Sequence, residues 1–209
     1  MSPGDGRPDL ISAGGNDVFV SKLDSTGVFV WANAFRGTGN DIGRSVAVDS
    51  SGNVYTTGYF SGTVDFNPGA GTANLVSAGE SDVFVSKLNS AGEFVWAKRF
   101  GGTGTEEGLS IAVDSSGNVY TTGSFSDTVD FNPGEGAADL TSSPAGWTDV
   151  FVSKLNSLGV FVRVGSTSVT IDVEAWARRA DGDDLARVTE GVFTYVALGA
   201  DRRARQIPK

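Results

Sequence analysis

The sequence predicts a mostly β chain assembled from a repeated unit of four short strands. Three observations predict it. The phrase Asp17-Val-Phe-Val-Ser-Lys-Leu23 returns at Asp82 to Leu88 and again at Asp149 to Leu155, with spacings of 65 and 67 residues, a self-similarity that signals a repeat architecture. A turn of the form [Asp/Asn]-Ser-x-Gly begins at Asp24, Asp49, Asn89, Asp114 and Asn156. Between these turns apolar and polar side chains alternate, and β-branched and aromatic types abound, as half-buried strands require.

The elements follow in order. Pro3-Gly4-Asp5-Gly6 aligns with Pro68-Gly69-Ala70-Gly71, and Leu10 to Gly14 aligns with Leu75 to Gly79. The chain thus opens in mid-repeat, as expected of a truncated gene or a misplaced start. The first full unit opens with a short apolar strand, Ser45 to Val48. Asp49-Ser50-Ser51-Gly52 turns the chain, with Asp first and Gly fourth as type I turns prefer. Asn53 to Phe60 is the second strand. Thr63 to Gly69 is expected to extend it and to end in a turn at Asn67-Pro68-Gly69. Asp82 to Leu88 is the third, with Val83 and Val85 on one face and Phe84 and Ser86 on the other. Glu93 to Phe100 is the fourth, with Trp96 at its centre.

The next unit repeats this from Ser110 onward, including the turn at Asn132-Pro133-Gly134. Two full units, at about 45–100 and 110–162, follow a leading half-unit. Four strands per unit joined by hairpin turns describe a β-propeller blade. The predicted fold is an incomplete β-propeller of two four-stranded blades plus a leading half-blade. A closed propeller needs about 4–8 blades. So few leave open sheet edges, which favour a homo-oligomer formed through those edges.

Composition limits the chemistry. Among 209 residues there is no His and no Cys, which removes thiolate and most zinc sites and the usual Ser-His-Asp triad. Residues 1–162 hold 18 Asp and Glu against 8 Lys and Arg, while residues 163–209 hold 7 against 8. An acidic repeat region argues against nucleic acid as a partner. No apolar run reaches the ~18 residues of a membrane span, and the N-terminus lacks the pattern of a signal peptide.

Asp49, Asp114, Asp65 and Asp130 admit two readings: calcium ligands in oxygen-rich turns, or carboxylates that cap their own turns. The turn reading is preferred, because each loop offers only one or two carboxylates. Phe19, Phe84 and Phe151, with Trp31 and Trp96, are read as core between blades rather than a stacking surface, because they recur at fixed strand positions. No metal, cofactor or catalytic residue is assigned in this region.

The phrase Asp-Ser-Ser-Gly-Asn-Val-Tyr-Thr-Thr-Gly, at Asp49 and Asp114, followed by Asp-Val-Phe-Val-Ser-Lys-Leu, resembles the bacterial β-propeller repeats called SBBP repeats. The resemblance covers about residues 1–162. It implies a large secreted or surface protein and no particular reaction.

From about Arg163 the sequence idiom changes. Residues 164–179 read as one long alternating strand with Val169, Ile171, Val173 and Ala175 on one face. Asp181-Gly182 signals a hairpin, and Leu185 to Leu198 reads as its second strand. The phrases Val164-Gly-Ser-Thr-Ser-Val169, Val173-Glu-Ala-Trp-Ala177, Val188-Thr-Glu-Gly191 and Phe193-Thr-Tyr-Val-Ala-Leu198 resemble the C-terminal part of hotdog-fold acyl-CoA thioesterases. The expected domains are therefore 1–162, repeats of about 65 residues, and 163–209, a β-hairpin matching the second half of a hotdog. The resemblance implies acyl-CoA as a ligand and a CoA-facing edge at Gly165, Ser166, Thr167 and Ser168, for which a polar strand start is the plainer reading. Asp172, Glu174 and Glu190 are read as surface or interface charges. The thioesterases' catalytic acid and central helix have no counterpart in residues 1–162, so no catalytic residue carries over.

The sequence thus predicts a non-catalytic, repeat-built structural or binding protein fused to a partial thioesterase-like segment, the product of a truncated or chimeric gene. The alternatives are an acyl-CoA thioesterase acting in an oligomer, and a secreted adhesive scaffold. Compartment stays open, since the repeats point outside the cell and the tail to the cytoplasm.

Overall fold

The computed structural model describes the backbone of residues 9–142, 147–165, 168–178 and 185–196, and the side chains of residues 9–142 and 147–162. All regular structure in these residues is β, with no helix. The chain divides into two compact units, 1–164 and 165–209.

Each turn of the [Asp/Asn]-Ser-x-Gly type closes a hairpin in the same way. In the Asp49 turn the Gly52 N–H donates to the Asp49 carbonyl at 2.9 Å, and Asp49 N–H donates to the Asn53 carbonyl at 3.1 Å. Gly52 takes a φ of +79°, which is why the fourth position is glycine. The turn fixes the register of its flanking strands, β3 (Ile42–Val48) and β4 (Val54–Phe60), with Val48 opposite Val54. Next come β7 (Asp82–Leu88) and β8 (Phe94–Gly102). The order β3-β4-β7-β8 is an antiparallel meander, the four-stranded unit the sequence predicts. The following unit repeats it with β9 (Glu107–Val113), β10 (Val119–Ser126), β13 (Thr148–Leu155) and β14 (Phe161–Gly165). Of the leading half-unit, the structure holds the outer two strands, β1 (Val18–Leu23) and β2 (Phe29–Gly37).

Thr63 to Gly69 does not extend the preceding strand. Gly62 adopts a φ of +71°, and its counterpart Asp127 a φ of +59°. The chain turns sharply there and leaves the sheet. β5 (Thr63–Asp65) crosses to the sheet of the previous unit, where Val64 lies opposite Gly37 of β2, and β6 (Asn74–Val76) pairs outside it. β11 (Thr128–Asp130) and β12 (Asp139–Thr141) likewise join β8. Each unit donates a short hairpin to the sheet before it.

The core lies between sheets. Val83, Val85 and Phe84 of β7 are all 0% exposed, but on opposite faces. Phe84 joins Phe35, Phe60 and Phe66 in the cluster shared with the first sheet, while Val83 and Val85 join Ile111 and Phe151 in the cluster shared with the third. Each cluster has an aromatic hub from the donated segment. Phe66 has ring centroids 5.1 Å from Phe35 and 5.0 Å from Phe84. Phe131 lies 5.7 Å from Phe100 and 4.7 Å from Phe151. Rings at such separations add to the stabilisation from area burial.

Phe19 departs from the expectation that it is core. It is 67% exposed, because no sheet among the described residues packs on its face of β1. At the opposite end Val150, the counterpart of Val83, is 68% exposed for the same reason.

The residues read as a single strand over 164–179 divide between two. β14 ends at Gly165 within the third repeat sheet, and β15 (Ser168–Arg178) pairs with β16 (Leu185–Val196) as a separate antiparallel hairpin. Ile171 lies opposite Phe193 and Glu174 opposite Glu190, with a bulge between Ala175 and Trp176. Asp181-Gly182 lies outside the described residues.

Candidate functional site at the junctions between units

Repetition brings the same polar groups together at each junction. In the Asp49 turn, Oδ1 accepts the backbone N–H groups of Ser51 and Asn53, and Oδ2 accepts Asn53 Nδ2 at 2.7 Å and the Tyr55 hydroxyl at 3.0 Å. Asp114 has the same four donors, from Ser116, Asn118 and Tyr120. Burial pushes the Asp49 carboxyl up, but these hydrogen bonds outweigh it and hold the acid below its usual range. The hydrogen bond from Asn118 leads in lowering Asp114. Burial, then the bond to Asp49, raises the Tyr55 hydroxyl. Asp65 spends Oδ1 on Asn67 and Ala73 N–H groups, and Asp130 on those of Asn132 and Ala138. These carboxylates cap turns, as the sequence suggested.

The lysine of the repeated phrase completes the cluster. Lys87 Nζ stands 5.1 Å above the Tyr55 ring and Lys154 Nζ 5.0 Å above Tyr120, a cation–π geometry. Tryptophan then ties one unit to the next. Trp31 Nε1 donates to the Ser90 carbonyl and Trp96 Nε1 to the Ser157 carbonyl, both at 3.3 Å. Lys22 and Lys87 reach the same two carbonyls, at 3.1 and 3.4 Å.

A second set of acids was missed in the sequence. Asp41 and Glu106 occupy the same place in the loops Gly37-Thr-Gly-Asn-Asp41 and Gly102-Thr-Gly-Thr-Glu106, and that recurrence was the available signal. Both are buried, as is Asp82. Asp41 accepts one bond from Ser61 N–H, and Glu106 one from Gly102 N–H at 2.9 Å. Their other oxygens, and Asp82 Oδ1, have no hydrogen-bond partner. Asp82 Oδ2 meets Arg99 at 2.8 Å. Burial pushes Asp41 up to about 6 and Glu106 up to about 7, with repulsion from Asp17 and Asp82 respectively adding to the effect. Burial also raises Asp82, against the pull of Arg99. Chemically, the arrangement can hold and release protons near neutral pH. Among the described residues no group of three or more His, Cys, Asp or Glu side chains is placed to hold a metal ion, and no helix is long and apolar enough to cross a membrane.

Of the residues expected to form a CoA-facing edge, Gly165 ends β14 and Ser168 begins β15, while Ser166 and Thr167 lie outside the described residues. The side chains of Asp172, Glu174 and Glu190 also lie outside them.

Comparison with known proteins agrees with the repeat geometry. The family model of a β-propeller repeat, SBBP, matches residues 36–60 and 95–124. The chain is 29% identical over 169 residues to an uncharacterised WD repeat-containing protein of Acanthamoeba polyphaga mimivirus, covering 76% of this chain and 12% of that protein. It is 30% identical over 152 residues to the regulatory protein FlaEY of Caulobacter vibrioides, covering 71% of this chain and 15% of that protein. The chain therefore spans only a small part of the length of these relatives. Separately, 47 residues are 43% identical to an uncharacterised acyl-CoA thioester hydrolase of Zymomonas mobilis, which is 22% of this chain and 32% of that protein.

Proposed function

We propose that this β-propeller-repeat chain is a non-catalytic binding or structural scaffold, with repeats over 1–162 and a partial acyl-CoA thioesterase-like hotdog segment over 163–209. One observation carries the reading: the turn aspartates and the tryptophans that recur in the repeats are engaged in building the repeats themselves. Both oxygens of Asp49 and Asp114 are taken up by turn donors, and Trp31 and Trp96 bridge neighbouring units. The fusion reading is supported by the short match to a thioester hydrolase and by a strand hairpin, β15–β16, held in a unit separate from the repeats.

The test is thiol release from a panel of acyl-CoA substrates by the purified chain. The expected result is release no faster than the buffer rate. The short match favours one second reading, an acyl-CoA thioesterase completed by oligomerisation, with Gly165, Ser166, Thr167 and Ser168 at its CoA-facing edge. Enzymatic thiol release that falls on changing Ser166 and Thr167 to alanine would establish it and remove the scaffold reading.

A further inference from the structure

The connection between the second and third repeat units, residues 102–106, runs from the end of β8 to the start of β9. Segment 79–82 lies along it. Glu80 N–H donates to the Gly104 carbonyl at 3.0 Å, Glu106 N–H donates to the Ser81 carbonyl at 2.9 Å, and Ser81 and Thr105 form a parallel bridge. On its other side Thr105 N–H donates to the Ser126 hydroxyl at 2.9 Å. Main chain meets main chain so closely that a Cβ on Gly79 would strike the Thr103 and Gly104 carbonyls, and one on Gly102 the Thr128 carbonyl. The Glu106 side chain folds back inside this stack, where Oε2 accepts the Gly102 N–H and closes the connection on itself. Glu106 and Asp82 are both 0% exposed, and Glu106 Oε1 and Asp82 Oδ1 have no hydrogen-bond partner.

Charge is unbalanced around Glu106. Segment 79–82 brings Glu80 and Asp82, β9 begins with Glu107, and Asp127 follows β10. The arginines of the neighbouring strands are already engaged: Arg99 of β8 with Asp82 and the Val76 carbonyl, and Arg44 of β3 with Glu107 at 3.6 Å. At the matching connection between the first and second units, Gly15 and Gly62 stand where Glu80 and Asp127 stand here, so the later connection is the more acidic. An ionised Glu106 in this stack is a buried charge with little to compensate it, which is costly. Opening the connection returns that charge to water.

We propose that connection 102–106 is a proton-controlled latch between the second and third units: with Glu106 protonated it stays closed under segment 79–82, and ionisation of Glu106 releases it while the sheets on either side stay folded. The sign follows from burial, which raises Glu106 from 4.5 to about 7, with Asp82 and Asp127 adding repulsion. The open form binds fewer protons. The opening equilibrium therefore grows about tenfold per pH unit across the window from about 4.5 to about 7 and is flat outside it. When the latch opens, the cluster of Tyr55, Phe100, Phe131 and Phe151 and the pairing of β11 with β8 still join the two units. Release loosens the joint without separating them, a local opening of the kind that precedes global unfolding. The proposal concerns the repeats alone and holds whether or not the C-terminal segment acts on a thioester.

The test is hydrogen exchange of the full chain followed by mass spectrometry at pH 5 and pH 8, with rates corrected for the intrinsic pH dependence of amide exchange. Peptides spanning 79–82 and 102–106 should lose protection at least tenfold between the two values, while β7 and β10 keep theirs. Glu106→Gln is neutral at both values and should remove most of that loss. Asp127→Gly takes away one repelling charge and installs the residue found at position 62, so it should reduce the loss in part. Protection at 102–106 that does not change with pH, an undiminished loss in Glu106→Gln, or an equal loss across all three repeat sheets would overturn the proposal.

Discussion

Asp82 and Glu106 are two fully buried carboxylates that repel one another where the second unit meets the third. Each has an oxygen without a hydrogen-bond partner. Glu106 is pushed from 4.5 to about 7, mainly by burial. Folding therefore favours its protonated form. This contribution to stability is fully present below about pH 4.5, declines as pH rises through the window to about 7, and levels off above it. Glu106→Gln mimics the protonated acid. It should stabilise the protein by roughly 2–3 kcal/mol at pH 8 and change little at pH 4.5. Urea denaturation at the two pH values measures this, and a gain independent of pH would contradict the account.

Phe19 and Phe84 share one position in the repeat, yet one is exposed and the other buried among Phe35, Phe60 and Phe66. Phe84→Ala should cost about 3–5 kcal/mol through lost transfer energy and the cavity left behind. Phe19→Ala should fall within about 0.5 kcal/mol of the parent. Equal losses in chemical denaturation would show that another surface covers Phe19.

Calcium should leave the thermal midpoint unmoved, and so should a chelator. The asparagines at the matching turns supply the reason: Asn89 Oδ1 accepts the N–H groups of Ala91 and Glu93 as Asp49 Oδ1 accepts those of Ser51 and Asn53. The amide oxygen does the work of Oδ1, and Oδ2 of Asp49 is taken up by Asn53 Nδ2 and the Tyr55 hydroxyl, so both carboxylate oxygens are engaged within the turn. Asp49→Asn should cost less than Asp49→Ala, for which about 1–2 kcal/mol is expected from the lost hydrogen bonds. A midpoint that rises with added calcium would restore the ligand reading.

Trp96→Phe removes the indole N–H that reaches the Ser157 carbonyl while keeping an aromatic ring beside Tyr55. About 1 kcal/mol should be lost, and native-state hydrogen exchange should quicken first in the hairpin turn that contains Ser157. Uniform quickening across all three repeat sheets would argue that the bond does not act locally.

The strands and turns were legible because they depend on local chemistry written several times over. Asp, Ser and Gly set the turn, and alternation in Asp82 to Leu88 sets two buried faces. The departure of Thr63 to Asp65 was not legible. Alternation continues through Thr63-Val-Asp-Phe66, and only the backbone at Gly62 shows that the chain has turned away. Phe66 and Phe131 were hidden behind their turn-forming neighbours Asn67 and Asn132. Asp41 and Glu106 sit in glycine-rich loops that look like solvated linkers, and their burial is decided by how segments 14–17 and 79–82 fold over those loops. Phe19 could not be separated from Phe84 by any local rule, since seven residues around each are identical. The candidate CoA-facing edge was readable only through resemblance.

The hairpin that each unit passes back to its predecessor puts the genetic period and the structural period out of step. A stretch of 65 residues cut at any phase still carries one donor and one acceptor, so unequal crossing-over can lengthen or shorten such a gene without matching its breakpoints to sheet boundaries. Insertion or loss in whole periods leaves every interior hairpin with a sheet to join, and only the two outermost units bear the consequences.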